Sequence, residues 1–391
     1  MQALNGITKK KFGLDIENSE LRYNFFSEEN GLNPKDLRLV QSAGKSPRYY
    51  QVNAVTNCVV YLKNNFRRML IVSPSGTGKT LISKLIALST DVREALGLST
   101  TGKIRVLFIA DDISLLDQAK TEFSDVTESV ELITQSAYSA IPDEVLSTGW
   151  DLVFMDEAHH EAMPSMQKLL EHIGDKPLFG FTATPDRGDS LLLKFERYIY
   201  LITKDEAIKR KFISTPNIYS VLDTSGKDKV AFTIDLVENM GHLIGNTLVY
   251  FREIDECQRF YEWALANGHT AYFLTDKREV DDIKQRFSDG EFRFLINCQV
   301  LGEGVDIKNC SYTILARRFD SRGEKEQYIG RVIRPDSDCY VFEYITPLSS
   351  NVLATDLFPI YNHNTMIYKL RGEWHTKLLS KMDMDDIYID N

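Results

Sequence analysis

Short apolar segments alternate with longer amphipathic segments along most of the chain. Apolar runs of four or five residues predict strands buried on both faces, and the segments between them predict helices. This alternation is typical of parallel α/β sheets. The predicted strands are 69–72, 106–109, 130–133, 152–155 and 178–181 in the first half, and 247–251, 271–274, 292–296, 312–315 and 339–342 in the second.

The predicted strands form two groups, which indicates two domains. We predict one domain at 45–205 and another at 206–346, joined by a polar stretch around residues 203–216. Residues 1–44 and 347–391 fit neither predicted sheet, and we interpret them as N- and C-terminal extensions packed on the domains. The chain of 391 residues is long enough for two domains with well-buried cores.

The composition narrows the possible partners. The formal net charge is −10, so contact with a polyanion would need a local basic groove. The sequence has no apolar run of membrane-spanning length and no signal-peptide core near its start, so we expect no membrane partner. The five cysteines form no CxxC pair, which favours a reducing, cytoplasmic interior and no zinc site.

A glycine-containing loop follows the strand that ends at Val72. It reads Ser73-Pro74-Ser75-Gly76-Thr77-Gly78-Lys79-Thr80 and leads into a segment with helical spacing. Strand, loop, Lys-Thr and helix together predict a phosphate cradle, because glycines let backbone N–H groups turn inward beside a helix N-terminus. Lys79 would reach the β- and γ-phosphates of ATP, and the Thr80 hydroxyl would ligate Mg²⁺. The alternative is an ordinary turn before a helix.

Two adjacent carboxylates, Asp156 and Glu157, follow the predicted strand 152–155. That position delivers both to the carboxyl edge of the sheet, where ligands of open α/β folds bind. Asp156 would hold the metal through water, and Glu157 would orient and deprotonate the attacking water. An Asp-Glu pair after a strand is, by itself, usually a solvated loop. The preceding phosphate loop favours the catalytic interpretation.

These motifs resemble those of superfamily 2 helicases, specifically the DEAH-containing group, over residues 45–346. The resemblance implies an α/β fold of two tandem RecA-like domains, each a mostly parallel sheet flanked by helices, with short terminal appendages. It rests on six segments in the family order: 48–51, 73–80, 156–159, 182–185, 301–306 and 327–334.

The resemblance also implies roles for individual residues. Arg48 and Gln51 would read the adenine, with Arg48 or an adjacent tyrosine packing its ring. The residues that would couple the ATP site to the nucleic-acid track are His159, Thr182 and Thr184. The residues of the second domain that would complete the nucleotide site are Gly304, Asp306, Gln327, Arg331 and Arg334. Of these, Arg331 and Arg334 resemble arginine fingers, which in the family reach the γ-phosphate across the interdomain cleft.

The finer resemblance is to restriction-type motor subunits, repair helicases of the transcription-factor type and compact phage helicases. It predicts an ATP-dependent helicase or translocase acting on nucleic acid, with DNA favoured over RNA and protein partners unknown. Candidate side chains for the track are Gln135, Ser136, Arg187, Arg252, Lys277 and Arg278. Three alternatives stay open: an ATP-gated RNA or DNA clamp, a motor subunit of a restriction system, and a binding module that has lost catalysis.

Overall fold

The computed structural model describes most of the two predicted domains. The described residues are 47–110, 113–137, 139–183, 185, 193–222, 228–298, 307, 310–317, 319, 325, 328–330, 338–345, 365–370 and 373–378. The predicted N-terminal extension, 1–44, lies outside them. Among the described residues no helix combines the length and apolarity needed to cross a membrane.

The first sheet has six strands, all parallel, in the order β3-β2-β4-β5-β1-β6. The strands are β1 (Arg68–Val72), β2 (Ile104–Ala110), β3 (Val130–Ser136), β4 (Leu152–Met155), β5 (Leu178–Thr182) and β6 (Arg197–Tyr200). Every residue of β4 and β5 is buried, as expected for central parallel strands covered on both faces.

Six helices accompany this sheet: α1 (Tyr49–Lys63), α2 (Lys79–Leu88), α3 (Thr90–Ala95), α4 (Ile113–Phe123), α5 (Asp143–Thr148) and α6 (Pro164–Ile173). Two of their starts follow from local chemistry. The Ser89 hydroxyl accepts a hydrogen bond from the backbone of Val92 and caps α3. Proline at the first position of α6 supplies a helical φ where no N–H partner is needed.

The second sheet has eight strands in the order β14-β13-β7-β12-β11-β8-β10-β9. The strands are β7 (Pro216–Leu222), β8 (Thr247–Tyr250), β9 (Ala271–Leu274), β10 (Phe294–Asn297), β11 (Tyr312–Leu315), β12 (Cys339–Ile345), β13 (Thr365–Leu370) and β14 (Glu373–Leu378). Its helices are α7 (Lys204–Lys209), α8 (Lys229–Met240), α9 (Ile254–Ala266) and α10 (Val280–Ser288). All pairings are parallel except β13 with β14.

Five strands of the two sheets share one spatial order, and the second sheet has β9 in addition, between β8 and β10 in the chain and outside β10 in the sheet. The order β1-β5-β4-β2-β3 in the first has its counterpart in β7-β12-β11-β8-β10 of the second. Each sheet has its own core, one including Leu70, Val153 and Met155, the other Val249, Phe260 and Phe342. The predicted fold of two RecA-like α/β units is confirmed, while the predicted domain boundaries at 45, 205 and 346 stay predictions.

All ten predicted strands are present. Four further strands of the described residues were not predicted: β6, β7, β13 and β14. The expectation that 347–391 lies outside both sheets is wrong for the two segments of β13 and β14. Residues 365–367 pair in parallel with β7, and β14 completes an antiparallel hairpin at that edge. These outer strands lack the continuous apolar run of a central strand: β14 has only exposed and half-buried positions and no buried one.

Candidate active site

The loop between β1 and α2 adopts the conformation that its glycines permit. Gly76 and Gly78 have φ values of 78° and 80°, in the left-handed region that glycine enters without strain. The Thr77 hydroxyl donates to the carbonyl of Pro74 at 2.6 Å and braces the loop from within. Helix α2 begins directly at Lys79. The loop therefore offers backbone N–H groups and a helix N-terminus, the elements of an anion site.

Gln51, on the first turn of α1, packs against this loop. A Cβ atom added at Gly78 would lie 2.8 Å from Gln51 Nε2, so a larger residue there would displace the end of the Gln51 side chain. Gln51 is buried, and its Oε1 accepts a hydrogen bond from the backbone N–H of Arg48 at 2.8 Å. Of the two neighbouring tyrosines, Tyr50 is completely buried, which leaves only Tyr49 with surface for a ring contact. The adenine-reading role of Arg48 and Gln51 stays a prediction.

The end of β4 brings the two carboxylates against the loop lysine. Lys79 Nζ lies 3.3 Å from Glu157 Oε1, and the backbone N–H of Glu157 donates to Asp156 Oδ1 at 3.0 Å. Both acidic residues are buried. Glu157 has a φ of 44°, a left-handed conformation that is uncommon outside glycine and concentrates at functional sites.

The two carboxyl groups are driven in opposite directions. Burial raises the pKa of Asp156 to about 6, although the positive charge of Lys79 opposes the increase and the Glu157 charge reinforces it. Burial also disfavours ionised Glu157, but the charge of Lys79 and the adjacent His159 outweigh burial and lower its pKa to about 2. Glu157 is therefore the stably ionised carboxylate of the pair, as a proton acceptor must be.

His159 connects this cluster to the end of β5. Its Nδ1 makes a 3.1 Å hydrogen bond with the Thr182 hydroxyl and lies 3.3 Å from Glu157 Oε2. Thr182 is the last residue of β5 and pairs with Val72 at the end of β1. No role was predicted for His160, but the centroid of its ring lies 4.1 Å from the centroid of the His159 ring. The adjacency of the two histidines was the one available signal for this contact.

The site has donors that suit Mg²⁺ and an activated water. Thr80 and Asp156 offer hydroxyl and carboxylate oxygens, which Mg²⁺ prefers. The described residues contain no cluster of three or more His, Cys, Asp or Glu that could hold a metal, so Mg²⁺ would depend on phosphate and water for its other ligands. Glu157 Oε2 is buried, and His159 Nδ1 lies 3.3 Å from it without meeting hydrogen-bond geometry, so this oxygen can still accept from a water. An ionised, incompletely bonded oxygen fits a water-orienting role.

The remaining predicted site residues lie outside the described residues: Thr184, Gly304, Asp306, Gln327, Arg331 and Arg334. Within the 327–334 segment, Tyr328, Ile329 and Gly330 are described and helical. The Tyr328 ring packs 4.7 Å from Tyr250 and 5.1 Å from Phe319, and Ile329 is completely buried.

The candidate track residues differ in environment. Gln135 is buried, and its Nε2 donates to the carbonyls of Ser136 and Ser139, so it braces the turn after β3. Arg252 and Arg278 are largely exposed, and each faces a neighbouring carboxylate, Glu253 or Asp276. Arg187 lies outside the described residues.

Two family descriptions match this sequence. "Type III restriction enzyme, res subunit" matches residues 44–139 and 132–187, and "Helicase conserved C-terminal domain" matches residues 228–336. The first match covers the loop with Lys79 and the carboxylates after β4. The second covers β8 to β11 and the segment with Arg331 and Arg334.

Curated relatives have similar names. The chain is 23% identical to IRC3 of Saccharomyces cerevisiae, a candidate ATP-dependent helicase by name, over 81% of this chain and 54% of that protein. It is 23% identical to the DNA 3'-5' translocase XPB2 of Sulfurisphaera tokodaii, over 76% of this chain and 81% of the relative. It is 24% identical to the type I restriction enzyme EcoAI endonuclease subunit of Escherichia coli, over 75% of this chain and 45% of that subunit. The chain spans little more than half of the first and under half of the third.

Solved structures share the fold. Saccharomyces cerevisiae Dbp5 bound to RNA and ADP BeF3 aligns with a TM-score of 0.60 at 18% identity, over 87% of this chain and 95% of Dbp5. The ATP-dependent type ISP restriction-modification enzyme LlaBIII bound to DNA aligns with a TM-score of 0.57 at 15% identity, over 77% of this chain and 28% of LlaBIII. At these identities the likeness concerns the fold.

Proposed function

Because this chain belongs to the superfamily 2 helicases, a family of NTP-hydrolysing helicases and translocases, we propose that it is an ATP-driven motor that moves along or remodels nucleic acid. The observation that carries the proposal is the continuous contact from Lys79 through Glu157 and His159 to Thr182. This chain of contacts joins a phosphate-binding element to a hydrolytic carboxylate and then to a second strand end.

The residues of the first sheet divide the chemistry among them. The loop amides of Ser75, Gly76, Thr77 and Gly78, with Lys79, would bind the phosphates. Thr80 and Asp156 would hold Mg²⁺, whose charge offsets that of the phosphate oxygens. Glu157 would orient a water and take its proton as the water oxygen bonds to the γ-phosphorus. The bond between that phosphorus and the bridging oxygen then breaks, leaving ADP and phosphate.

The second sheet would supply the rest of the proposed mechanism. By resemblance to the family, Gln327, Arg331 and Arg334 act on the γ-phosphate, and Gly304 and Asp306 line the same site. Arginine fingers of this kind accelerate hydrolysis by about 10³–10⁵-fold. Hydrolysis would therefore depend on domain closure, and alternating grip on a strand would convert the cycle into movement. Thr182 and Thr184, with His159, would transmit the state of the nucleotide.

DNA is favoured over RNA as the proposed partner. One relative is named a DNA 3'-5' translocase and the LlaBIII structure contains DNA, whereas the Dbp5 structure contains RNA. The similarity to restriction subunits also supports a second candidate, the motor of a restriction-type system. An ATP-gated clamp that hydrolyses ATP without travelling uses the same site and is the third candidate.

An ATPase assay against a panel of nucleic acids tests the proposal. The panel contains single-stranded, double-stranded and branched DNA, and single- and double-stranded RNA. We expect one or more DNA ligands to raise kcat, and the stimulation to fall steeply with salt because phosphates dominate such contacts. Stimulation by RNA alone would contradict the DNA assignment, and no hydrolysis with any ligand would contradict the motor. Strand displacement measured beside ATPase separates a helicase from a clamp.

A further inference from the structure

A deeply buried charged pair of the second unit includes Lys325, which is close in sequence to the proposed catalytic segment 327–334. Lys325 Nζ lies 2.5 Å from Glu343 Oε2, and the two side chains are 5% and 1% exposed. Glu343 projects from β12, and its Oε1 accepts a hydrogen bond from Ser220 of β7 at 3.1 Å. Both carboxylate oxygens thus have partners. Lys325 stands two residues before Gln327 and six before Arg331.

Burial of such a pair is a poor source of stability. Taking two charges out of water is unfavourable, and well-packed apolar residues of similar volume are often as stable or more stable. What the pair provides is one defined arrangement, since neither charge tolerates being buried without the other. A lysine held against the middle of the sheet therefore restricts where the chain after it can lie.

The residues one helical turn after Lys325 are also fixed by their contacts, here by ring packing and burial. Tyr328 is wedged between Tyr250 and Phe319, its hydroxyl accepts a hydrogen bond from Arg317 Nη1 at 3.2 Å, and Ile329 is completely buried. Tyr328 and Ile329 follow Lys325 by three and four residues, so the three residues share one face of a helix. Gln327, Arg331 and Arg334 are spaced four and three apart, which predicts a different shared face.

We propose that Lys325, Glu343 and Ser220 are positioning residues that fix the segment carrying Arg331 and Arg334 for γ-phosphate contact. The proposal rests on the finger role assigned to Arg331 under the proposed function. An arginine finger acts only if its guanidinium reaches the developing charge within a fraction of an ångström, so its support must resist displacement. A buried charged anchor on two strands of the sheet provides that resistance.

A double-mutant cycle with Arg331 tests the proposal. The variant Lys325→Met with Glu343→Gln removes both charges and keeps an acceptor for Ser220. We expect its kcat for ATP to fall about 10- to 10²-fold, the effect of a small misplacement of a catalytic group, while its Kd for ADP stays unchanged. In an Arg331→Ala background the same two substitutions should cause a smaller further loss of kcat, because only Arg334 then remains to be misplaced. Single-turnover measurements with excess protein keep the slow variants measurable.

A control ion pair connects the same sheet to helix α8. Lys369 of β13 and Asp235 of α8 form a 2.6 Å ion pair whose side chains are each 32% exposed. The variant Lys369→Met with Asp235→Asn should keep the wild-type kcat. If the Lys325/Glu343 double variant does not fold, Ser220→Ala leaves the charged pair intact. It should lower kcat by a smaller factor than the double variant does, and this loss should shrink in the Arg331→Ala background.

The outcomes separate the two hypotheses. An equal loss of kcat with and without Arg331, or no loss with Arg331 present, overturns the positioning role and leaves the proposed function intact. Wild-type kcat in Arg331→Ala refutes the finger assignment itself, and the positioning role with it. A loss of kcat that is larger with Arg331 than without it, with an unchanged Kd for ADP, supports both hypotheses.

Discussion

Two lysine–glutamate pairs, one associated with each sheet, are built in contrasting ways. Lys79 and Glu157 are 3.3 Å apart with side chains 12% and 11% exposed, whereas Lys325 and Glu343 are 2.5 Å apart and 5% and 1% exposed. Glu157 has a left-handed backbone, and its Oε2 has only a 3.3 Å contact with His159 Nδ1 that falls short of hydrogen-bond geometry. Glu343 lies within a regular strand, and both its oxygens are bonded.

The difference indicates what each pair is for. A loose pair with strained backbone and spare bonding capacity can exchange its partner for a ligand, as a site for phosphate and water must. A tight pair with every oxygen bonded cannot exchange without a large loss, so it serves to hold the chain in place. The same two residue types thus give a reactive site in one unit and an anchor in the other.

Glu157→Gln should break the reactive pair with the largest effect on chemistry. We expect kcat to fall about 10²–10⁴-fold, the contribution of a positioned general base, because the amide cannot accept the proton of the attacking water. ATP binding should be largely retained, since the loop and Lys79 remain. Single-turnover hydrolysis and nucleotide binding measured on the same preparation check both.

Glu161→Gln is the matched control for Glu157→Gln. Glu161 lies four residues after Glu157 and is also buried. Its two oxygens accept hydrogen bonds from the backbone N–H of Lys194 and from the Gln167 side chain. It should lower stability without removing turnover. Near-normal hydrolysis in Glu157→Gln would refute Glu157 as the base.

Glu343→Gln should break the anchoring pair with the largest effect on stability. Neutralising Glu343 leaves the buried Lys325 ammonium without its carboxylate partner, which costs about 3–5 kcal/mol of unfolding free energy. Denaturant unfolding of this variant beside Glu157→Gln measures the contrast. Equal stability of the two variants would contradict the distinction between an anchor and a reactive site.

Thr182→Val should sharpen the comparison with the smallest effect. It removes the hydroxyl that binds His159 and leaves the Lys79–Glu157 contact in place, at a cost of about 1 kcal/mol. Basal hydrolysis should change little, while stimulation by nucleic acid should fall if His159 and Thr182 couple the two sites. Thr182→Ser, which keeps the hydroxyl, should retain stimulation. Full stimulation in Thr182→Val would count against coupling through this contact.

The sequence was informative where local physics is strong. Central strands such as β4 and β5 are continuous apolar runs, and the Gly76–Thr80 segment needs glycines for its backbone and a lysine for its charge, so both were predicted from residue types alone. The edge strands β6 and β14, and β13 next to β14, were missed because their pattern is short or mixed, and only pairing with a neighbour makes them strands. β7 was missed because it begins at a proline within a stretch interpreted as a polar linker.

By itself, the sequence determined the class of fold, the phosphate loop and the order of the motifs, because each depends on residues close together in the chain. Only the tertiary structure decided that Lys79 contacts Glu157, 78 residues away, that His159 bonds to Thr182, and that Lys325 is paired with Glu343. These contacts arise where parallel strands distant in sequence become neighbours in a sheet. Whether a charge is buried, strained or satisfied depends on those neighbours, so the chemical character of each lysine–glutamate pair is a property of the folded chain.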